Sequence, residues 1–283
     1  VRLPSMITEI PEDTFVGCRS LTSIDIPSSV TRIEDHAFHG TGLKTVSIHD
    51  GITYIGEEAF FHTNLESVWI PDSVTTIGVG AFYQCSNLKS VRLPQGLTEL
   101  SDKLFCGSAL TSIDIPDSVV RIGRSALSSQ YLTTVNIPDG VVIIDDYALS
   151  GCKRLKSLYI PDSVTTLGYS IVTRCDALDL LVVGNGLKDV SIHTFSIKFY
   201  DTSGNRIPHD DVVKFPNHAY RMKDGVMVQS PLYRVTFDAN GTSGTMDEKV
   251  LAGPEAPNTL PLNRFIEFTP NFSFHGWSTS PTG

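Results

Sequence analysis

The stretch that decides the fold is LESVWIPDSVTTIGVGAFYQCSN, residues 65–87. Its skeleton is Leu65, Val68, Ile70, Pro71, Val74, Ile77, Gly78, Ala81, Phe82 and Cys85. The Val-x-Ile alternation marks a short strand with one buried face. Proline ends that strand where no ladder donor is wanted, and Asp72-Ser73 supplies turn chemistry behind it. A second apolar pair, Val74 and Ile77, turns the chain back, and Ala81-Phe82 fills the far corner.

The same pattern lies on both sides. Ile24-Asp25-Ile26-Pro27, Ile113-Asp114-Ile115-Pro116 and Leu158-Tyr159-Ile160-Pro161 align with Val68 to Pro71. Registering on the proline gives Pro4, Pro27, His49, Pro71, Pro94, Pro116, Pro138, Pro161 and Gly184, a step of 22 or 23 residues throughout. One such coil cannot bury its own apolar side. Stacked at the inter-strand spacing of about 4.8 Å, nine coils make a rod some 40 Å long with a continuous core. A spine of Phe15, Phe38, Phe60, Phe82, Phe105, Leu127, Leu149, Val172 and Phe195 runs through it, beside a cysteine column of Cys18, Cys85, Cys152 and Cys175. These four are expected to be buried free thiols. In the 22-residue units that slot loses a residue, and Cys106 sits one column over.

The unit resembles the BspA-like class of leucine-rich repeat over about residues 1–195. The resemblance implies a repeat solenoid of about nine 22–23-residue coils, β-rich with short helical or irregular turns. It also implies a surface or secreted protein, with adhesion or intercellular contact as its role and no catalytic residues. Residues 196–232 carry hairpin patterns, Tyr220-Arg221-Met222 and Val226-Met227-Val228 about Lys223-Asp224-Gly225, and are expected to cap the array. From Tyr233 the chain reads YRVTFDANGT and ends near FHGWST, residues 274–279. That combination resembles the Listeria–Bacteroides repeat, a small β-grasp module of internalin-type surface proteins. Residues 233–283 are therefore expected to form a partial copy.

Composition narrows the function. With Lys+Arg 22 against Asp+Glu 31 the net charge is −9, which disfavours nucleic acid as the partner. No apolar run approaches the roughly 20 residues of a membrane span. The first ten residues lack the basic and apolar regions of a secretory signal. No nucleophile, base and orienting group recur together, and no histidine stands with a cysteine at zinc-ligand spacing. His36, His39 and His62 in neighbouring coils are read as solvated surface groups. The Asp50, Asp72, Asp117, Asp139 and Asp162 column is read as turn chemistry rather than a calcium site. No enzyme activity, cofactor or metal is expected.

What remains is a binding surface on the outward strand positions. One row is uniform in short hydroxyls: Ser23, Thr45, Ser67, Ser90, Ser112, Thr134 and Ser157. Its companion is Asp25, Ser47, Trp69, Arg92, Asp114, Asn136, Tyr159 and Val182. Asp25, Trp69, Arg92, Asp114, Asn136 and Tyr159 are the candidate binding residues, since Trp, Tyr and Arg anchor interfaces most often. The expected protein is an extracellular or cell-surface monomer that binds an extracellular protein or glycan. The other reading is a stalk or spacer, in which Trp69 and Arg92 merely stack on each other.

Overall fold

The structure, a computed structural model, describes residues 3–184, 186–187 and the strand segments 199–200, 206–207, 218–223, 226–230, 232–235 and 249–252. Within the repeat array it is a parallel β-solenoid of about eight turns. No helix occurs among the described residues, so the corners expected to be helical or irregular are irregular turns. Of the ninth coil the strand that leads into Gly184 is described, while residues 188–198, Phe195 among them, lie outside the described residues.

Each coil meets its neighbours through two ladders. The first is the second apolar pair of the repeat, which does more than turn the chain. It forms two-residue parallel strands: β1 (Glu9–Ile10), β2 (Arg32–Ile33), β3 (Tyr54–Ile55) and β5 (Thr76–Ile77) in one sheet, with β7 (Glu99–Leu100), β8 (Arg121–Ile122), β9 (Ile143–Ile144) and β11 (Thr166–Leu167) in another. The Ile-x-Ile segment, expected to carry the main sheet, is regular only in places. β4 (Ser67–Trp69) pairs with β6 (Ser90–Arg92), β10 (Ser157–Ile160) pairs with β12 (Leu180–Val183), and Asp114 bridges Asn136. Proline removes the amide that would extend β4, β6 and β10, and Gly184 stands in its place after β12.

The Phe corner is hydrogen-bonded without being a strand. Glu58, Phe60 and His62 donate their amides to the Val79, Ala81 and Tyr83 carbonyls at 2.9, 2.8 and 2.9 Å. Glu58 and His62 hold φ of 47° and 52°. This left-handed alternation aims successive amides along the solenoid axis, so one corner satisfies three donors. The post-proline turn is equally tight. A Cβ on Gly140 would stand 2.5 Å from the Asp117 carbonyl oxygen, and at the equivalent position Ser73 and Ser163 donate to carbonyls of the preceding coil, those of Ile52 and Val141, at 2.7 Å.

The core is the predicted one. Phe38, Phe60, Phe82 and Phe105 are fully buried, and their rings stack at 5.2, 5.3 and 5.8 Å. Phe15, in the first coil, is only half-buried, although its ring lies parallel to Phe38 at 5.3 Å. The cysteine column needs two corrections. Cys18 is exposed, while Cys85, Cys152 and Cys175 are buried and free. In the 22-residue coils the slot is not empty: Thr41, Thr63, Ser108 and Ser129 occupy it, each buried. Thiol and hydroxyl thus alternate with coil length in one column. Cys85, Cys152 and Cys175 donate to the carbonyls of Phe60, Leu127 and Leu149, and Ser129 donates to Ser108. Burial pushes the Cys85 thiol up to about 11. Cys152, hydrogen-bonded to Cys175 as well as buried, is also held above the ordinary thiol range.

At the C-terminal end the parallel order stops. β15 (His218–Lys223) lies antiparallel on β12, and β15 and β16 (Val226–Ser230) form the expected hairpin. β13 (Phe199–Tyr200) and β14 (Arg206–Ile207) extend the same sheet, and Tyr220 and Met227 are buried. Farther along, β17 (Leu232–Val235) and β18 (Lys249–Ala252) pair antiparallel.

Candidate functional site

Strand alternation sends Val68 and Ile70 into the core and leaves Ser67 and Trp69 outside. The hydroxyl row is exposed at every position from Ser23 to Ser157. In the companion row Asp25, Ser47, Trp69, Asp114, Asn136 and Tyr159 are exposed, and Arg92 is half-buried. Val182 departs from expectation. It is buried, at the position where β15 replaces the next parallel coil.

The six candidate residues lie in one line, each a coil or two from the next. Trp69 registers on Arg92, Asp114 on Asn136 and Tyr159 on Val182. Trp69 is 66% exposed, the largest such side chain on the sheet. The Arg92 guanidinium sits 5.1 Å from its ring centroid, donates to the Ile70 carbonyl at 2.8 Å and pairs with Asp72 at 2.7 Å. Asp72 also accepts the Gln95 amide. The Arg92 hydrogen bond first, and the Gln95 amide second, hold its carboxyl below the ordinary 3.8. Tyr159 has its phenol raised by burial and by the nearby carboxylates of Asp162 and Asp139.

The first ladder carries a second decorated face that the sequence reading passed over, because it took Val74 and Ile77 only as a turn. The residue preceding the inward Ile or Leu, polar in every strand but β9 where it is Ile143, points outward there. Arg32 lies 4.0 Å over Tyr54, and Arg121 pairs with Glu99, Asp102 and Asp145 at 3.2, 2.7 and 2.5 Å. The signal was the polar residue that directly precedes Ile33, Ile55, Leu100 and Ile122.

A parallel stack of 22–23-residue coils with leucine at the strand entry defines a leucine-rich repeat solenoid. The chain matches the model of the BspA type leucine rich repeat region in six copies, over residues 8–131 and 120–242, and therefore belongs to that family. Among solved structures it resembles a leucine-rich repeat protein from Bacteroides ovatus with 31% identity and a TM-score of 0.56, covering 63% of this chain and 47% of that one. A leucine-rich repeat protein from Eubacterium ventriosum is 26% identical, with TM-score 0.46 and coverage of 67% and 61%. A leucine rich cell surface protein from Faecalibacterium prausnitzii is 25% identical, with TM-score 0.36 and coverage of 68% and 60%. The chain thus spans about half the length of the Bacteroides protein. No curated protein matches the sequence. Leucine-rich repeat proteins are in general binding or structural proteins rather than enzymes. No helix among the described residues is long and apolar enough to cross a membrane.

Proposed function

We propose that this protein is an adhesin-like binding module of the cell surface or extracellular space, and that its ligand is an extracellular protein or glycan. The binding surface is the line formed by Asp25, Trp69, Arg92, Asp114, Asn136 and Tyr159. The observation that carries the reading is Trp69. An indole 66% exposed amid a flat field of hydroxyls contributes little to its own coil, and such a residue is a typical interface anchor. Family membership supports the surface location and the absence of catalysis. On the same reading residues 1–195 bind, 196–232 close the array, and 233–283 form a partial Listeria–Bacteroides repeat that acts as a spacer.

The test is a screen of the full chain on a glycan array and on immobilised extracellular matrix proteins. It is followed by a Trp69→Ala, Arg92→Ala, Tyr159→Ala triple variant against each ligand found. Loss of more than tenfold in affinity in a folded variant supports the site, and affinity within twofold of wild type removes it. The alternative, a pure spacer, is favoured by one observation: Arg92 is fully engaged with Trp69, Asp72 and Ile70 inside the sheet.

A further inference from the structure

We propose a zinc site on the Phe corner of the first three coils, away from the binding line, with Glu12, Asp13 and His36 as ligands and Glu58 as the residue that orients the histidine. Among the described residues, Glu12, Asp13 and His36 are the one grouping in which three ligand atoms lie within 4.8 Å of one another.

The repeat itself brings these groups together. Asp13, His36 and Glu58 hold the same left-handed position in successive coils, with φ of 58°, 55° and 47°. Their backbones are tied coil to coil by Asp13 N–H to the Asp35 carbonyl at 3.1 Å and His36 N–H to the Glu57 carbonyl at 2.8 Å. The side chains therefore stack as carboxylate, imidazole, carboxylate along the axis, and Glu12 adds a second carboxylate beside Asp13.

The imidazole is flanked on both of its nitrogens. Nδ1 lies 3.9 Å from Asp13 Oδ1, and Nε2 lies 3.8 Å from Glu58 Oε2. A metal-bound histidine characteristically donates its other N–H to a carboxylate, which fixes the tautomer and makes the ligating nitrogen a better donor. Glu58 Oε2, at 3.8 Å from Nε2, lies just beyond hydrogen-bond distance and takes that role after a small side-chain rotation. It is in turn held 3.6 Å from Nε2 of His39, whose ring stacks on Phe61 at 4.5 Å. With Nε2–H turned to Glu58, Nδ1 offers its lone pair toward Glu12 and Asp13.

The donor set decides the ion. One imidazole with two carboxylates suits a borderline cation such as zinc, whereas calcium and magnesium seek all-oxygen sites. Zinc bonds of about 2.0–2.2 Å place neighbouring ligands about 3.3 Å apart. Glu12 and Asp13 are exposed and close the remaining gap by side-chain rotation, while a water completes the shell. A zinc ion there staples the coil of Glu12 and Asp13, where Phe15 is only half-buried, to the next one.

The experiment is calorimetric titration of the full chain with zinc chloride, with calcium chloride as a parallel arm. Wild type should take up one zinc per chain with micromolar affinity and unfold at a higher temperature with zinc, while calcium produces neither effect. His36→Asn, which tolerates the left-handed backbone, should abolish that event, as should the Glu12→Gln, Asp13→Asn pair. Glu58→Gln should weaken it by about 10- to 100-fold, and His62→Ala should leave it unchanged. No saturable zinc uptake below millimolar, uptake that survives both ligand variants, equal response to calcium, or unaltered affinity in Glu58→Gln overturns the assignment.

Discussion

Phe82→Ala should destabilise the array by about 4–5 kcal/mol, the upper part of the 3–5 kcal/mol span of buried Phe→Ala replacements. The ring is fully buried and lies between Phe60 at 5.3 Å, nearly parallel, and Phe105 at 5.8 Å. A phenyl group takes at least ~150 Å² of apolar surface out of water, which at ~25 cal/mol per Å² is about 4 kcal/mol. The two ring pairs, each at the low end of the roughly 0.5–1.5 kcal/mol such a contact contributes, add up to about 1 kcal/mol beyond that area and are lost together. Collapse cannot recover the loss. The walls of the cavity belong to coils whose spacing is fixed by the Phe60–Ala81 and Phe82–Leu104 backbone hydrogen bonds at 2.8 and 3.2 Å. Phe15→Ala makes the internal comparison: a half-buried ring with one stacked neighbour should cost about 1–2 kcal/mol. Urea unfolding followed by far-ultraviolet circular dichroism measures both. A Phe82 cost below about 1 kcal/mol, or one no larger than that of Phe15, would refute the stacked-spine account.

Three further outcomes are expected. Thiol reagent at pH 8 should modify Cys18 rapidly in the native protein and Cys85 and Cys152 only on unfolding, since burial raises Cys85 and the Cys175 hydrogen bond together with burial raises Cys152; equal rates for Cys18 and Cys85 contradict the assignment. The Asp72 carboxyl, depressed by Arg92, contributes stability that is present above its ordinary value of 3.8 and is lost as pH falls through the lower folded value. Carbon-13 NMR titration should show that depression and its reversal in Arg92→Ala, and an Asp72 that titrates the same in both proteins refutes it. Arg121→Ala should cost about 1–2 kcal/mol, less at high salt, because Glu99, Asp102 and Asp145 lose a shared cation; a salt-independent cost points to packing instead.

Sequence alone determined the architecture. A period of 22 or 23 residues, with Ile-x-Ile-Pro at its head and Ala-Phe at its corner, admits only stacked coils, because a single coil has no second layer against which to bury Val68, Ile77 and Phe82. Burial of the spine and exposure of Trp69 followed from alternation, which is local. Tertiary structure decided what depends on neighbouring coils. Val74-Thr75-Thr76-Ile77 looks like a turn until Tyr54 and Glu99 stand beside it, and only then does it become a ladder with an outward face. Thr41, Thr63, Ser108 and Ser129 reveal themselves as the cysteine column only when coils of different length are superposed in space. Cys18 and Val182 occupy repeat positions identical to those of Cys85 and Trp69, yet their burial is reversed. Cys18 lies in the first described coil, and Val182 meets an antiparallel strand where a parallel coil would have been. The cluster of Glu12, Asp13, His36 and Glu58 is likewise invisible along a chain that separates its members by up to two full coils. Stacking brings residues one period apart to about 5 Å, and the sequence names the period without naming which side chains will meet across it.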